Sequence, residues 1–307
     1  MLLKDPILQK KLEMIIDLLG SNGQGGNCGY DHTFFYDNSF LIMDRHDLFT
    51  LETHNKEWVW KKADRASISN CLSIGSDGDA YSSGNKCNFK FKYSERIYTM
   101  GSGSRARRKL TGNCVAKAET VADFMAALRQ HHNVSIPFAR GTVSSPCMHF
   151  GGIVGDHTTS SLIASIDDRK TVIWATGSSV PCVSLFKPWL FDNDPVAPFF
   201  YEKDNNALKY WYSQEEFRRN LLSKEIPQDY YDLRDALEKK WIDQAASASG
   251  SKDFEALSAQ CFSEEKDFYE YWTKYSFNEA KSSDAFKKRW AGKNEVFAEE
   301  RISKIME

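Results

Sequence analysis

The sequence predicts an α+β protein, strand-rich over its first two thirds and helical at its end. Three observations carry this. Residues 39–61 read as short apolar runs, SFLIM, LFTLE and EWVWK, divided by polar turns. SSLIASID and TVIWATG, joined through Asp-Asp-Arg-Lys, repeat that pattern as a hairpin. From about Tyr201 to Glu307 the chain is charged, nearly free of Pro and Gly, and helical in its periodicity. The predicted organisation is a mixed domain over 1–205 and a helical extension over 206–307.

Taken in order, PILQKKLEMIIDLLG places Leu8, Leu12, Ile15 and Leu19 at helical spacing and stops at Gly20. The loop NGQGGNCGYDH follows, and then two or three antiparallel strands, with Asp44–Asp47 as the first turn. SISNCLSI (67–74) alternates enough to predict a short strand. GSDGDAYSSGN and YTMGSGSRARRKLTGN predict loops, the second with a basic cluster near its end. Thr120–His132 predicts a helix: Val121, Phe124, Met125 and Leu128 share a face, with acidic residues early and histidine late. Residues 134–147 read as loop, and PCVSLFKPWLF leads out of the hairpin through prolines. Ser213 and Glu216 have the spacing of a capping box, which would start a helix there.

Composition excludes several function classes. The 307 residues carry 40 Lys+Arg against 42 Asp+Glu, a formal net charge of −2. Binders of nucleic acid or anionic membranes depend on concentrated positive charge, which this balance does not supply. With 20 Phe, 13 Tyr and 8 Trp the chain has material for a packed interior, so disorder is not its main state. The seven cysteines are scattered, form no CxxC, and read as free thiols of a reducing, cytoplasmic setting. No apolar run has the length of a membrane span.

Four stretches hold five candidate sites. The glycines of NGQGGNCGYDH lie between a helix and a strand, the reverse of a dinucleotide loop, and lack the lysine of a phosphate loop, so they read as a tight corner. Cys28 with His32 four residues on has the residue types of a nucleophile and its base, but the thiol reads as buried and inert. CMHFGGIVGDHTTSS gathers Cys147, His149, Asp156, His157, Thr158 and Thr159. Its spacings match no known metal-ligand set, so neither a metal nor a cofactor is expected. RARRK (105–109) follows a Gly-Ser turn that can aim Arg105 inward. Asn70 sits in a predicted strand, where asparagine is disfavoured, so its amide is expected to hold a partner or to donate to an oxyanion.

Taken together, NGQGGNCGYDHTFFYDNSFLIMDRHDLFTLET, ISNCLSI, CMHFGGIVGDHTTSSLIASI and WATGSSVPCVSLFKP resemble the secernins and related dipeptidases, which are N-terminal-nucleophile hydrolases. The blocks match in order and spacing over roughly residues 10–225. The resemblance implies an αββα sandwich of two antiparallel sheets between helices. It implies a cysteine whose thiol attacks a small peptide or amide, with its own α-amino group as base, through an acyl-enzyme. Within it Asn70 looks like the oxyanion-hole asparagine. Arg105 looks like the arginine beside the nucleophile, with Arg107 and Arg108 as alternatives in the same run. The family's nucleophilic cysteine opens a strand upstream of the first helix, and no cysteine of this chain holds that position. The expectations are therefore a domain truncated at its front, inactive by itself, and homo-oligomeric or paired with a separate chain that supplies the front. A second implied role is non-catalytic, as an interaction protein in regulated secretion.

Overall fold

The computed structural model describes residues 10, 12–18, 37–94, 101–152, 155–191 and 205–306, residues 205 and 302–306 as backbone only. The chain is a mixture of helix and sheet, as expected, and divides into two compact units, Met1–Ala118 and Glu119–Glu307. The boundary expected at 205/206 falls inside the second unit, whose strands and helices share one apolar core. NGQGGNCGYDH, with Cys28 and His32, lies outside the described residues, as do Leu8, Leu19 and Gly20 of the expected first helix.

The first unit is built on a four-stranded antiparallel sheet in the order β1-β2-β3-β4: β1 (Asn38–Met43), β2 (Leu48–His54), β3 (Glu57–Ala63) and β4 (Ala80–Tyr81). Two turns fix its register. The Asp44 carboxylate accepts from the N–H groups of His46 and Asp47, closing the β1–β2 turn. The β2–β3 hairpin closes between His54 and Glu57, with Asn55 at φ 53°, a conformation asparagine tolerates.

Alternation along β2 divides its side chains between two layers. Phe49 and Leu51 bury against Leu12 of helix α1 (12–18), with Trp60 of β3 packed alongside. Glu52 lies on the other face, opposite Val59, whose own cluster holds Leu72, Ile74, Tyr81 and Phe89 of the short helix α2 (Phe89–Tyr93).

Two expectations in this unit are corrected. SISNCLSI is not a strand; among the described residues it makes only an isolated bridge between Ser69 and Cys71. The N–H groups of Ser73 and Ile74 bond instead to the Glu52 carboxylate, at 2.8 and 2.9 Å, so no neighbouring strand is needed to satisfy them. RARRKLTGN is not a loop but most of helix α3 (Ser104–Val115), which starts after Gly103 at φ 67°. A left-handed residue immediately before the helix is what the Gly-Ser turn supplies.

In the second unit, α4 (Val121–Leu128) begins with a capping box between Thr120 and Asp123 and ends four residues short of the expected His132. The single turn α5 (Pro137–Arg140) follows. The expected hairpin is present as β5 (Leu162–Ile166) and β6 (Thr171–Ala175), and β7 (Lys187–Leu190) adds to it in the order β5-β6-β7. Four long helices complete the unit: α6 (Asn205–Asn220), α7 (Gln228–Ser247), α8 (Ser251–Thr273) and α9 (Asp284–Met306). Ser213 does not start a helix; it lies within α6 and its hydroxyl donates back to the Tyr210 carbonyl. Val172 and Trp174 of β6 share a core with Trp241 of α7 and with Phe254, Leu257, Phe268 and Trp272 of α8.

Between β6 and β7 the chain runs through the interior without regular structure, and residues 178–188 are all buried. Irregular backbone in that position must find side-chain partners. Arg129 donates to the carbonyls of Pro181 and Ser184, Arg234 to Cys182, and Tyr230 to Val183. Glu238 of α7 accepts from the Phe186 N–H at 2.7 Å and binds the Arg129 guanidinium in a two-pronged pair at 2.7 and 2.6 Å. Replacing Glu238 with Ala leaves a buried guanidinium and an orphaned N–H. The expected cost is about 3–5 kcal/mol by chemical denaturation, whereas Lys239→Ala, in an exposed pair with Asp243, leaves the midpoint unchanged within error.

Candidate functional site

The first unit brings together the two stretches that sequence marked separately, ISNCLSI and RARRK. Helix α3 is stitched to residues 67–70 along one side. The Arg108 side chain donates from Nε to the Ser67 carbonyl at 3.1 Å, and the Ser67 hydroxyl donates to the Arg108 carbonyl and meets the Thr111 hydroxyl. One helical position earlier, Arg107 is buried. Its Nη1 donates to the Ser102 carbonyl at 2.6 Å and its Nη2 to Asn70 Oδ1 at 3.0 Å.

This last contact fixes the asparagine. A guanidinium has only donors, so the atom facing it must be the amide oxygen, and the Asn70 amide nitrogen is turned away as a donor. Asn70 itself is exposed. The arginine that meets Asn70 is thus Arg107; Arg105 is exposed on the first turn of α3. Helix phase explains the difference, because residues two apart lie on different faces.

The segment after Asn70 is anchored from beneath by Glu52. Its carboxylate accepts from the N–H and hydroxyl of Ser73 and from the N–H of Ile74. Burial raises the Glu52 pKa, and the hydrogen bonds from Ser73 and Ile74 together with the charge of Arg108 only partly offset this. Beside this seam opens a cleft of about 490 Å³ whose walls include Thr50, Lys61, Ser67, Ser73, Asp77 and Arg108. Neither Asn70 nor Arg107 lines it. Its charge is mainly positive: Lys61, Arg65, Arg108 and Lys109 face it, with Asp77 bonded to Lys61.

CMHFGGIVGDHTTSS belongs to the second unit and is not a simple polar loop. Asp156 and Thr159 are exposed. Thr158 accepts from the Met148 N–H, and His157 accepts at Nδ1 from the Phe150 N–H. Burial, reinforced by the neighbouring His149, pushes the His157 pKa down to about 3, so that ring is neutral at physiological pH. Cys147 and His149 turn inward and meet His131 and Cys182, two residues that no local spacing connected to them. The pattern that would have found this set is spatial, because its members come from three separated segments. No known protein family matches the chain, and no solved structure matches it.

The Glu52 geometry sets a pH dependence. Its folded pKa lies above the unfolded value, so the fold holds the proton more tightly than the unfolded chain does. The resulting stabilisation is full below the unfolded pKa and is lost as pH rises through the raised folded pKa. Urea unfolding measured from about pH 4 to pH 7 should therefore show wild type losing stability relative to Glu52→Gln as pH rises. A constant difference between the two proteins would contradict it.

Proposed function

We propose that the first unit carries the carbonyl-binding side of an amide-cleaving site of the secernin type, acting on a dipeptide or another small amide. The observation that carries this is the Arg107–Asn70 contact, which holds the asparagine amide by its oxygen and so leaves its N–H groups to serve as donors. In acyl transfer from an amide, a thiolate adds to the carbonyl carbon and negative charge collects on the carbonyl oxygen. A donor fixed in advance stabilises that charge without reorganising, and a primary amide does so without adding charge of its own. The intermediate then collapses, the C–N bond breaks, the amine leaves with a proton, and water releases the acyl group.

Asn70 is the donor in this reading, and Arg107 is a positioning residue that acts through it. The basic cleft beside Ser67 suits the carboxylate of a short peptide, with Arg108 and Lys109 on its wall. The four-stranded antiparallel sheet would be one of the two sheets of a sandwich of the N-terminal-nucleophile kind. The reading assigns no nucleophile among the described residues.

The test is dipeptide binding by NMR titration alongside a turnover assay, both on the full 307-residue chain. Asn70→Ala and Arg107→Ala should each weaken binding about 10-fold, the worth of one hydrogen bond of about 1.4 kcal/mol. Asn70→Ala, which takes one acceptor from the buried Arg107 but leaves the Ser102 carbonyl, should cost about 1–2 kcal/mol and leave the chain folded. If turnover is present, it should fall about 100-fold or more in Asn70→Ala, as when an oxyanion donor is removed. Equal binding and turnover in wild type and Asn70→Ala would sink the reading.

A further inference from the structure

Four side chains from three separated segments converge in the second unit. His131 follows α4, Cys147 and His149 lie on the loop closed by the Thr142–His149 bridge, and Cys182 sits in the buried segment before β7. Their ligand atoms all lie within 4.8 Å of one another. His149 Nε2 is 3.4 Å from Cys147 Sγ, 3.4 Å from Cys182 Sγ and 3.2 Å from His131 Nε2.

Hydrogen bonding does not account for this arrangement. An imidazole nitrogen carries either one proton or one in-plane lone pair, so it satisfies one partner and not three. The surroundings do not relieve the mismatch. Cys147, His149 and Cys182 are 0%, 2% and 3% exposed, and the Phe138 ring stands edge-on to His149 at 4.7 Å. Polar atoms crowded in an apolar core, with three contacts converging on one ring nitrogen, are costly.

A tetrahedral cation at the centre satisfies all four atoms at once. Bonds of about 2.3 Å to sulfur and 2.0–2.1 Å to nitrogen give tetrahedral edges of about 3.3 Å between nitrogens and 3.6 Å between nitrogen and sulfur. The separations of 3.2 and 3.4 Å lie close to those edges. We propose that His131, Cys147, His149 and Cys182 bind one zinc ion. Two thiolates with two imidazoles select zinc over the hard cations calcium and magnesium. With four protein ligands no position is left for water or substrate, so the site is structural and not catalytic.

The backbone is arranged to hold these ligands. The Cys147 N–H donates to the Gln130 carbonyl, and Thr142 and His149 exchange both backbone hydrogen bonds. Gly141, at φ +73°, lets the strands of this knuckle close together, since a Cβ there would lie 2.8 Å from the Gly151 Cα. The ion would tie the end of α4 and the knuckle to the buried segment, releasing the two thiol protons to solvent as it binds.

The experiment is metal analysis of the full chain purified in the presence of reductant, followed by exchange of the bound metal for cobalt(II). We expect about one zinc per chain. The cobalt form should show the intense visible bands of a tetrahedral ion with thiolate-to-metal charge transfer. Cys182→Ser and His131→Ala should each lose or shift that spectrum, while Cys114→Ser, a half-buried thiol of the other unit, should keep it. If the variants fail to fold, the wild-type stoichiometry and cobalt spectrum still decide. A folded, reduced wild type that holds no zinc and gives only an octahedral cobalt spectrum overturns the proposal. So does a Cys147–Cys182 disulfide in metal-free native protein.

Discussion

The second unit depends on the fate of one buried stretch of irregular backbone, residues 178–186. A strand would satisfy its own peptide groups through a neighbour, and a helix through itself. This stretch has neither; local turns pair Val183 with Val180 and Ser184 with Pro181, and other carbonyls take donors from elsewhere in the unit. The carbonyl donors come from the elements around it: Arg129 after α4, Tyr230 and Arg234 of α7, and Tyr269 of α8, while Arg218 of α6 donates to the Ser178 and Ser184 hydroxyls. The helices are therefore held to the hairpin by directed hydrogen bonds as well as by apolar burial. Lys187, where the stretch enters β7, is buried with Glu265 of α8 at 2.6 Å, and its ammonium also donates to the Thr176 and Leu185 carbonyls. Burying such charges contributes little net stability, but it makes any other seating of the helices expensive.

The first unit solves the same problem on a smaller scale with an anion. Residues 71–75 cross the face of the sheet without pairing to it as a strand, and the Glu52 carboxylate replaces the missing ladder. Because Glu52 sits opposite Val59 in a fixed antiparallel register, the crossing segment is set in position by the strand beneath it. Asn70 lies at the mouth of that crossing, between the sheet that holds Ser73 and the helix that holds Ser67. A side chain placed this way has a defined direction while remaining exposed, which is what a binding donor requires.

Much of the fold was legible because it follows periodicity. The three long strands of the first sheet, the β5–β6 hairpin and the start of α4 announce themselves by alternation, turn residues or caps. The two misread elements fail for different reasons, one a distant partner and the other the local geometry of a turn. SISNCLSI alternates like a strand, but Glu52 captures its N–H groups. RARRKLTGN looks like loop after Gly-Ser, but Gly103 is spent on a single left-handed residue before a helix. Taking the run as loop also concealed which of its arginines shares a helical face with the seam, so the contact of Arg107 with Asn70 was not legible. Asn70 stood out as an asparagine in an expected strand, and that strand is absent; what fixes its amide is Arg107, a partner 37 positions away in sequence.

The cysteines make the same point about chemistry. One at a time, Cys147 and Cys182 are ordinary buried thiols, and their separation of 35 positions in sequence carries no recognisable spacing. Folding changes what they are by changing what faces them. Cys182 lies in the segment that has no secondary structure of its own, and Cys147 in a knuckle pinned by Gly141, Gly151 and the Phe286 ring of α9. Hydrogen bonds from arginines and tyrosines fix the carbonyls of the buried segment but leave its one thiol directed at His149. Carbonyl donors and a thiol ligand are complementary ways of anchoring irregular backbone: the first neutralises peptide groups, the second cross-links chain segments. The two meet at Cys182, whose carbonyl is bound by Arg234 while its sulfur faces His149. A residue held at both ends has no freedom left to drift, and the packing of α7 on the hairpin inherits that rigidity.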